Sequence, residues 1–599
     1  MALLLGVACG SHDASACVYD EYELLAAVQL ERVTRMKGEG GRIPWEAIDE
    51  VLAIAGQTRQ NVDVISIMRG HFPVKYFRPG NVVRGVRKSI QSSIAGLFNE
   101  QMTLSVQQEL VRIGKASEQG YFNREAFLRD FGFRPDTTVF FFNHHFAHAI
   151  PTLFHNPDWA EAFLFTADGG GDWVTCSHRH FDGASLKTIY GGDECVNAKH
   201  VVDSVALAYG FVTKALGWKN NRHEGKVTGL AAAGEPIHYE EMRSWFDIAG
   251  NGRISSSLSS NREMHDRIYA LTQTTTRENM ASSVQRLAED VTLASIGALL
   301  NNRPSRRLGV AGGLFANVLL NQKILDRLPI DELFIYPAMS DAGLCTGGVL
   351  HYLLNRDGLA RWLDQRRPLK SLYLGRDYTD LIDQRLSTAA GVFQTGSNPV
   401  NDAVAKLADG DVVAIFTKGG EFGPRALGAR SVMANPRDKS INDALNARME
   451  RSEFMPFAPY VLAEDADEVF ELPAGAKQAA RFMTITCFVK EGWRDRVPAT
   501  VHIDGTARPQ IISREDNPLY YDVLKAFKEK TGIKVLVNTS FNVHEEPIIN
   551  HPDECVKALL NDRVDHVVTT RGLYSQAKAA QSAQSVSRSG KLAATAMTA

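Results

Sequence analysis

Three histidines fall within five positions in Asn143-His-His-Phe-Ala-His148, directly after the apolar run Thr138 to Phe142. The run predicts a buried strand and Asn143 a helix N-cap, which puts His144 and His148 on one helix face at i and i+4. That spacing suits a divalent metal. Oxygen ligands would complete the shell, and Asp168 and Asp341 are the candidates, each in a turn after an apolar run. Two histidines with carboxylates suit iron, manganese or zinc. Asp341, in Met339-Ser-Asp-Ala-Gly343, serves equally as a turn former before Gly343, and spacing does not separate the two roles.

Three further segments could hold phosphate or nucleotide. Leu3 to Ala8 runs into Gly10-Ser-His-Asp-Ala-Ser15 and a second β-type run, Ala16 to Tyr19, a strand–turn–strand unit whose backbone N–H groups can cradle phosphate. The unit recurs at Ala162 to Ala167, Asp168-Gly-Gly-Gly-Asp172 and Trp173 to Cys176, where Gly169 and Gly170 would let backbone approach a ligand. Each also reads as an ordinary hairpin. Leu308 to Ala311 ends in Gly312-Gly313 and leads into a helical stretch with Asn317 and Asn321 one turn apart, as at a nucleotide-binding helix start. Three such loops in this order predict the duplicated actin-like (ASKHA) ATPase architecture.

Farther on, Lys418-Gly-Gly-Glu-Phe-Gly-Pro-Arg-Ala-Leu-Gly-Ala-Arg-Ser431 combines glycines with Arg425, Arg430 and Ser431 directly after the strand candidate Val412 to Phe416. Arginine binds oxyanions bidentately, so phosphate is the expected ligand. Asn435-Pro-Arg-Asp438, His502-Ile-Asp-Gly-Thr-Ala-Arg508 and Val537-Asn-Thr-Ser-Phe-Asn542 are further polar clusters that also read as plain loops.

These residues need a scaffold of more than one core, because 599 residues with 44% apolar content exceed what one domain packs. Short β-type runs, Val62 to Met68 among them, alternate with amphipathic stretches such as Ser282 to Leu300, an α/β pattern. Residues 1–365 form the expected first domain. A linker follows over 366–390, marked by the charged stretch around Asp364 to Lys370 that contains Gln365-Arg-Arg-Pro368, and a second α/β domain covers 391–575. Residues 576–599 are Ala, Ser, Gln and Lys with few large apolar side chains and are expected to be a disordered tail.

Charge argues against nucleic acid: 66 basic and 69 acidic residues leave a net −3, and Arg84, Arg87 and Lys88 form only a small cluster. The seven cysteines, at 9, 17, 176, 195, 345, 487 and 555, include no C-x-x-C pair, which fits a reducing cytoplasm. Met1 to Gly10 lacks a basic flank and reads as a buried strand rather than a signal segment. No apolar run approaches the roughly 20 residues of a membrane helix, so a soluble protein is expected.

The ordered set His-Asp-Ala-Ser, His-His-x-x-His, Asp-Gly-Gly-Gly-Asp, Glu-Phe-Gly-Pro-Arg-Ala-Leu-Gly, Asp-Gly-Thr-Ala-Arg and Asn-Thr-Ser-Phe-Asn resembles the NodU/CmcH-type O-carbamoyltransferases, to about residue 575. The resemblance implies an actin-like (Kae-like) first domain joined to a YrdC-like second domain. It implies that the second domain makes carbamoyl-adenylate and pyrophosphate from carbamoyl phosphate and ATP with Mg²⁺. The first would then pass the carbamoyl group to a hydroxyl of a sugar-containing or small-molecule acceptor near an iron-type metal.

By the same resemblance His144, His148, Asp168 and Asp341 hold the metal, His12 takes the acceptor proton and Asp13 orients it. Glu31, Arg35 and Lys37 resemble the family's Glu-Arg-Phe-Thr-Arg segment beside the transfer site, and Lys226 in His223-Glu-Gly-Lys226 lies near the nucleotide. Lys418, Arg425, Arg430, Ser431, Arg437, Arg508, Asn538, Ser540 and Asn542 match positions around carbamoyl phosphate and ATP.

Two departures bear on adenylate formation. Thr417-Lys-Gly-Gly420 replaces the family's Gln-Gly-Arg-Met, and Met455 stands where the pattern has arginine. A small-molecule kinase and a non-catalytic nucleotide-binding protein are the alternatives, and the net charge argues against threonylcarbamoyl transfer to tRNA.

Overall fold

The computed structural model describes residues 2–69, 76, 122–193, 195, 202–302, 305–451 and 455–577. Arg84, Arg87 and Lys88, and the expected tail from 578 onward, lie outside the described residues.

The first domain holds two five-stranded sheets of the same topology. In one, β1 (Leu3–Ala8), β2 (Ser15–Asp20) and β3 (Glu23–Gln29) form an antiparallel meander, and β4 (Val64–Met68) and β5 (Thr138–Phe142) add parallel on the far side of β1. In the other, β6 (Ala162–Gly171), β7 (Val174–Phe181) and β8 (Leu186–Tyr190) form the meander. A small hairpin, β9 (Phe246–Ile248) and β10 (Ile254–Ser256), follows; then β11 (Arg307–Ala311) and β12 (Glu332–Ile335) add parallel on the far side of β6. This repeat of three antiparallel and two parallel strands is the duplicated actin-like architecture expected from the three loops.

All six residues of β1 are buried because helices cover both faces of its sheet. Trp45–Ile54, with Ala47, Ile48, Val51 and Leu52 on its inner side, packs on β2 and β3. Leu344–Asp364 packs on β1 and β4 and against His144–Phe154, the helix that carries the histidine pair.

The strand after Leu164 departs from the expected hairpin. Asp168 to Gly171 continue β6, and the chain reverses at Asp172-Trp173, both with positive φ (50° and 66°). A Cβ on Gly171 would lie 2.2 Å from Cγ of His144. The glycine run therefore admits an imidazole, and the strand passes it with a register shift between Ala167 and Gly171 and Gly170 at φ 147°.

Residues 366–390 contain a strand and a helix. β13 (Tyr373–Asp377) pairs with β16 (Gly419–Glu421), and Thr379–Thr388 packs on the helix Pro552–Leu560. The second domain is α/β on a mixed eight-stranded sheet. Its strands are β14 (Val392–Gly396), β15 (Val413–Phe416), β17 (Arg430–Ala434), β18 (Ala458–Leu462), β22 (Gln510–Ile512), β23 (Val535–Ser540), β24 (His566–Val568) and β25 (Leu573–Gln576), in the order β14-β25-β24-β15-β17-β23-β18-β22. Gln576, placed at the start of the tail by composition, closes β25. β19 (Phe470–Glu471), β20 (Cys487–Val489) and β21 (Thr506–Ala507) form a small separate sheet.

The two domains share core. Leu320, Ile324 and Leu333 of the first lie in one buried apolar cluster with Ala476, Ala479 and Ile485 of the second. All seven cysteines are buried and unbridged. Among the described residues no helix is long and apolar enough to cross a membrane.

Candidate functional site

Asn143 caps the helix His144–Phe154 by accepting the Phe146 N–H at 2.8 Å, and this fixes the histidine pair at the end of β5. His144 and His148 meet Asp168, on β6, and Asp341, before the helix Leu344–Asp364, with one donor atom from each lying within 4.8 Å of all the others. His148 Nε2 stands 3.0 Å from Asp168 Oδ2 and 3.6 Å from Asp341 Oδ1, and His144 Nε2 stands 3.9 and 3.7 Å from the same two atoms. Two imidazoles and two carboxylates this close fit one divalent cation with ligand distances of about 2.0–2.2 Å.

The electrostatics agree with that fit. Burial disfavours the His148 imidazolium, yet hydrogen bonds to Asp168 and Asp341 outweigh it and raise the group to about 9. Burial likewise opposes ionisation of Asp168, and the two histidines hold it well below the usual carboxylate range. The pocket is built for positive charge between its carboxylates. The third histidine is structural: His145 Nδ1 meets Thr166 Oγ1 and Nε2 meets the Val174 carbonyl, both at 2.8 Å, and burial pushes its pKa well down.

The turn of His12 lies against this cluster. A Cβ on Gly10 would stand 2.7 Å from Asp341 Oδ2, so the Asp341 carboxylate rests on the Gly10 backbone. Gly41 N–H donates to Gly10 C=O at 2.5 Å and Ala14 N–H to Glu39 C=O at 2.9 Å, which holds the turn from behind. His12 Nδ1 pairs with Asp13 Oδ2 at 3.3 Å. Burial lowers the imidazole, while Asp13, Asp341 and Asp168 outweigh it and raise it to about 10. Asp341 and Asp168 are the charges a divalent cation would neutralise.

One cavity of about 470 Å³ opens beside the cluster and is lined by both domains. From the first domain His12, Asp13, Glu31, Lys37, Asp168, Gly169, Lys226, Gly313 and Asn317 reach it; from the second, Arg425, Arg508, Asn538, Ser540 and Asn542 do. Residues expected in two separate sites thus face common space.

Besides His144, His148 and Asp341 of the metal cluster, eight expected site residues lie outside this lining. Gly170 stays in β6, and Gly312, at φ 104°, packs on Ala167, whose carbonyl a Cβ would meet at 2.2 Å. Asn321 is fully buried and donates to the Phe315 and Thr484 carbonyls, stitching the domains together. Arg35 donates to the carbonyls of Pro547 and Ile548 and pairs with Glu554. Lys418 donates to the Asp516 carbonyl at 2.6 Å. Arg430 is fully buried, stacked on Phe416, and donates to the Thr417 carbonyl at 2.6 Å; Ser431 accepts the Gly428 N–H. Arg437 reaches the Thr531 carbonyl. Backbone carbonyls, unreadable from side-chain patterns, consume these cations. Asn317 reaches the cavity wall with its amide already used, capping its helix and pairing with Gln285.

Arg451 was not singled out by sequence and lines the cavity beside Met455. Its guanidinium donates to Thr539 Oγ1 and to the carbonyls of Ser540 and Asn542 at 2.6–2.8 Å. Nothing in Arg448-Met-Glu-Arg451 distinguishes it from a charged surface edge. A second convergence, His223, His544 and Glu545, spans the domains. His223 Nδ1 accepts the Lys219 N–H, so Nε2 carries the proton given to Glu545 Oε1 at 2.6 Å. With both nitrogens committed and Lys219 also paired to Glu545, this is a clasp between domains.

Residues 3–350 match the family model described as Carbamoyltransferase N-terminus, and residues 404–576 the one described as Carbamoyltransferase C-terminus. The chain belongs to the carbamoyltransferase family. This carbamoyltransferase is 32% identical to the nodulation protein NolO of Bradyrhizobium diazoefficiens, over 71% of the chain and 77% of that relative. It is 29% identical to NolNO of Sinorhizobium fredii, over 93% and 78%, and 28% identical to an uncharacterized protein of Methanocaldococcus jannaschii, over 94% and 98%. Among solved structures, component A of the Acidaminococcus fermentans (R)-2-hydroxyglutaryl-CoA dehydratase covers 58% of this chain and 97% of its own, with 14% identity and a TM-score of 0.31. Full-length HypF in its phosphate- and nucleotide-bound form covers 60% and 56%, with 11% identity and a TM-score of 0.31.

Proposed function

We propose that this carbamoyltransferase uses ATP. Second-domain residues would form carbamoyl-adenylate from carbamoyl phosphate and ATP with Mg²⁺, and first-domain residues would pass the carbamoyl group to a hydroxyl of a sugar-containing or small-molecule acceptor. The single cavity supports this reading: Arg425 and Arg508 face the same space as His12 and Asp168.

Water takes the phosphoryl group of carbamoyl phosphate and leaves carbamate. A carbamate oxygen attacks the α-phosphorus of ATP, and pyrophosphate departs. Arg425 and Arg508 hold the anions by charge-assisted hydrogen bonds, and Arg451 sets the Ser540–Asn542 wall beside them. The acceptor oxygen then attacks the carbamoyl carbon and AMP departs. His12, whose Nδ1 is committed to Asp13, receives the acceptor proton at Nε2. Lys37 and Lys226 offset the adenylate phosphate. His144, His148, Asp168 and Asp341 would hold iron, manganese or zinc, which supplies Lewis-acid polarisation when bound.

Similarity to nodulation proteins supports a nodulation-factor or secondary-metabolite acceptor. A cytoplasmic reaction on a small molecule, with no nucleic acid, belongs to the same proposal. Pyrophosphate release from ATP, Mg²⁺ and carbamoyl phosphate without acceptor tests it. Release that depends on carbamoyl phosphate is expected, and none from folded, ATP-binding protein would return the reading to a kinase or a non-catalytic binder.

A further inference from the structure

Side chains hold many backbone groups of the loop that presents Arg425 to the cavity. Glu421 Oε1 alone accepts three N–H groups, from Leu427 and Ala429 at 2.8 Å and from Arg430 at 3.1 Å. Asn538 donates to the Ala426 carbonyl at 3.0 Å, Gln510 and Tyr373 to that of Leu427 at 2.7 Å, and Asn517 to that of Gly428 at 3.0 Å.

The remaining hold comes from the other domain. Gln29, the last residue of β3, accepts the Gly423 N–H at 3.2 Å, and Arg32, one helical turn on, donates Nη2 to the Gly423 carbonyl at 2.8 Å. Both are buried, at 4% and 8% exposure. Gly423 has φ 115°, and a Cβ there would stand 3.4 Å from the Pro337 carbonyl, four residues before Asp341. Only glycine sits easily in that conformation. Arg32 is itself set by Glu31, whose other carboxylate oxygen accepts the Gly38 N–H at 2.7 Å.

We propose that Gln29 and Arg32 of the first domain are positioning residues for anion binding by Arg425 of the second. By fixing both sides of the Gly423 residue they set the loop that aims the guanidinium, so the phosphate site is complete only across the domain junction. The two bonds hold the successive peptide planes on either side of the Gly423 Cα, one by a neutral and one by a charge-assisted hydrogen bond, and the arginine two residues on follows from the second. The inference rests on the reading of Arg425 as a carbamoyl phosphate ligand.

The test compares full-length wild type with Arg32→Ala, Arg32→Lys and Gln29→Ala. Arg32→Ala is expected to raise KM for carbamoyl phosphate in pyrophosphate release about tenfold, the order of one lost hydrogen bond to a charged group, and to leave KM for ATP within about twofold. Arg32→Lys keeps one donor and recovers most of the loss. Gln29→Ala, which removes only a neutral acceptor, raises the same KM about threefold and serves if Arg32→Ala does not fold. Unchanged KM values, or a fall in kcat alone, would overturn the proposal, because a purely structural contact changes only the active fraction. If the wild type releases no pyrophosphate, the functional reading fails by itself. Calorimetry with inorganic phosphate then decides the positioning claim: binding about tenfold weaker in Arg32→Ala supports it, while equal affinity, or no binding by the wild type, overturns it.

Discussion

At the scale of single residues, the metal cluster of His144 adjoins the cavity through Asp168, and the anion loop presents Arg425 to the same space. His144→Ala should lower metal affinity by more than the roughly 10–100-fold typical of residues that only support a ligand and abolish transfer, while pyrophosphate release survives. Arg425→Ala should spare metal content and weaken carbamoyl phosphate use by about 10–100-fold, as loss of a charge-assisted contact does. Metal analysis and the two half-reactions measured separately check both. Equal loss of both steps in both variants would refute the division of labour. The convergence of His144 and His148 was legible because i, i+4 residues share one helix face, whereas the choice of Asp341 over a plain turn former rested on the family resemblance. The cations were less so. Arg425 and Arg430 are five positions apart in one motif, yet one faces the cavity and the other is buried, stacked on Phe416, with its Nη1 turned to backbone carbonyls. Side-chain type does not report which carbonyls a fold will bring near.

At the scale of elements, the strand candidates of the first domain appear within a few residues of the runs that predicted them, and in β1, β4 and β11 this is because consecutive apolar residues buried on both faces have few other structures available. The glycine run after Asp168 was misread as a turn because glycine signals both reversal and close approach. Here close approach decides it, with Gly171 facing the His144 ring. Gly171→Ala should therefore displace that imidazole and lose bound metal while far-UV circular dichroism stays unchanged, and metal retained at wild-type stoichiometry would show the strand able to yield. Interdomain positions such as Asn321 could not be assigned from sequence, because its partner carbonyl belongs to Thr484, 163 residues away.

At the scale of the whole molecule, the clasp of Glu545 with Lys219 and His223 ties the domains at the rim of the cavity. Burial disfavours the Glu545 carboxylate, but its hydrogen bonds to Lys219 and His223 outweigh this and hold it at about 2. A carboxylate lowered in the folded state stabilises above its unfolded value of about 4.3, and that contribution is lost as pH falls from there toward about 2. Denaturant unfolding from pH 5 to 2 should show this loss in the wild type and a flatter profile in Glu545→Gln; identical slopes would mean the clasp does not hold.

The strand order of the second domain also carries a consequence for synthesis. β25, the last strand of the described chain, lies inside the sheet between β14 and β24 and, among the described residues, is the only strand paired with β14. While the polypeptide is still being made, β14 has no partner until residues 573–576 leave the ribosome, although β15, β17, β23 and β18 can already pair. The second domain therefore closes late, some 180 residues after its first strand emerges, and the part of the shared core that it supplies to the first domain comes late as well.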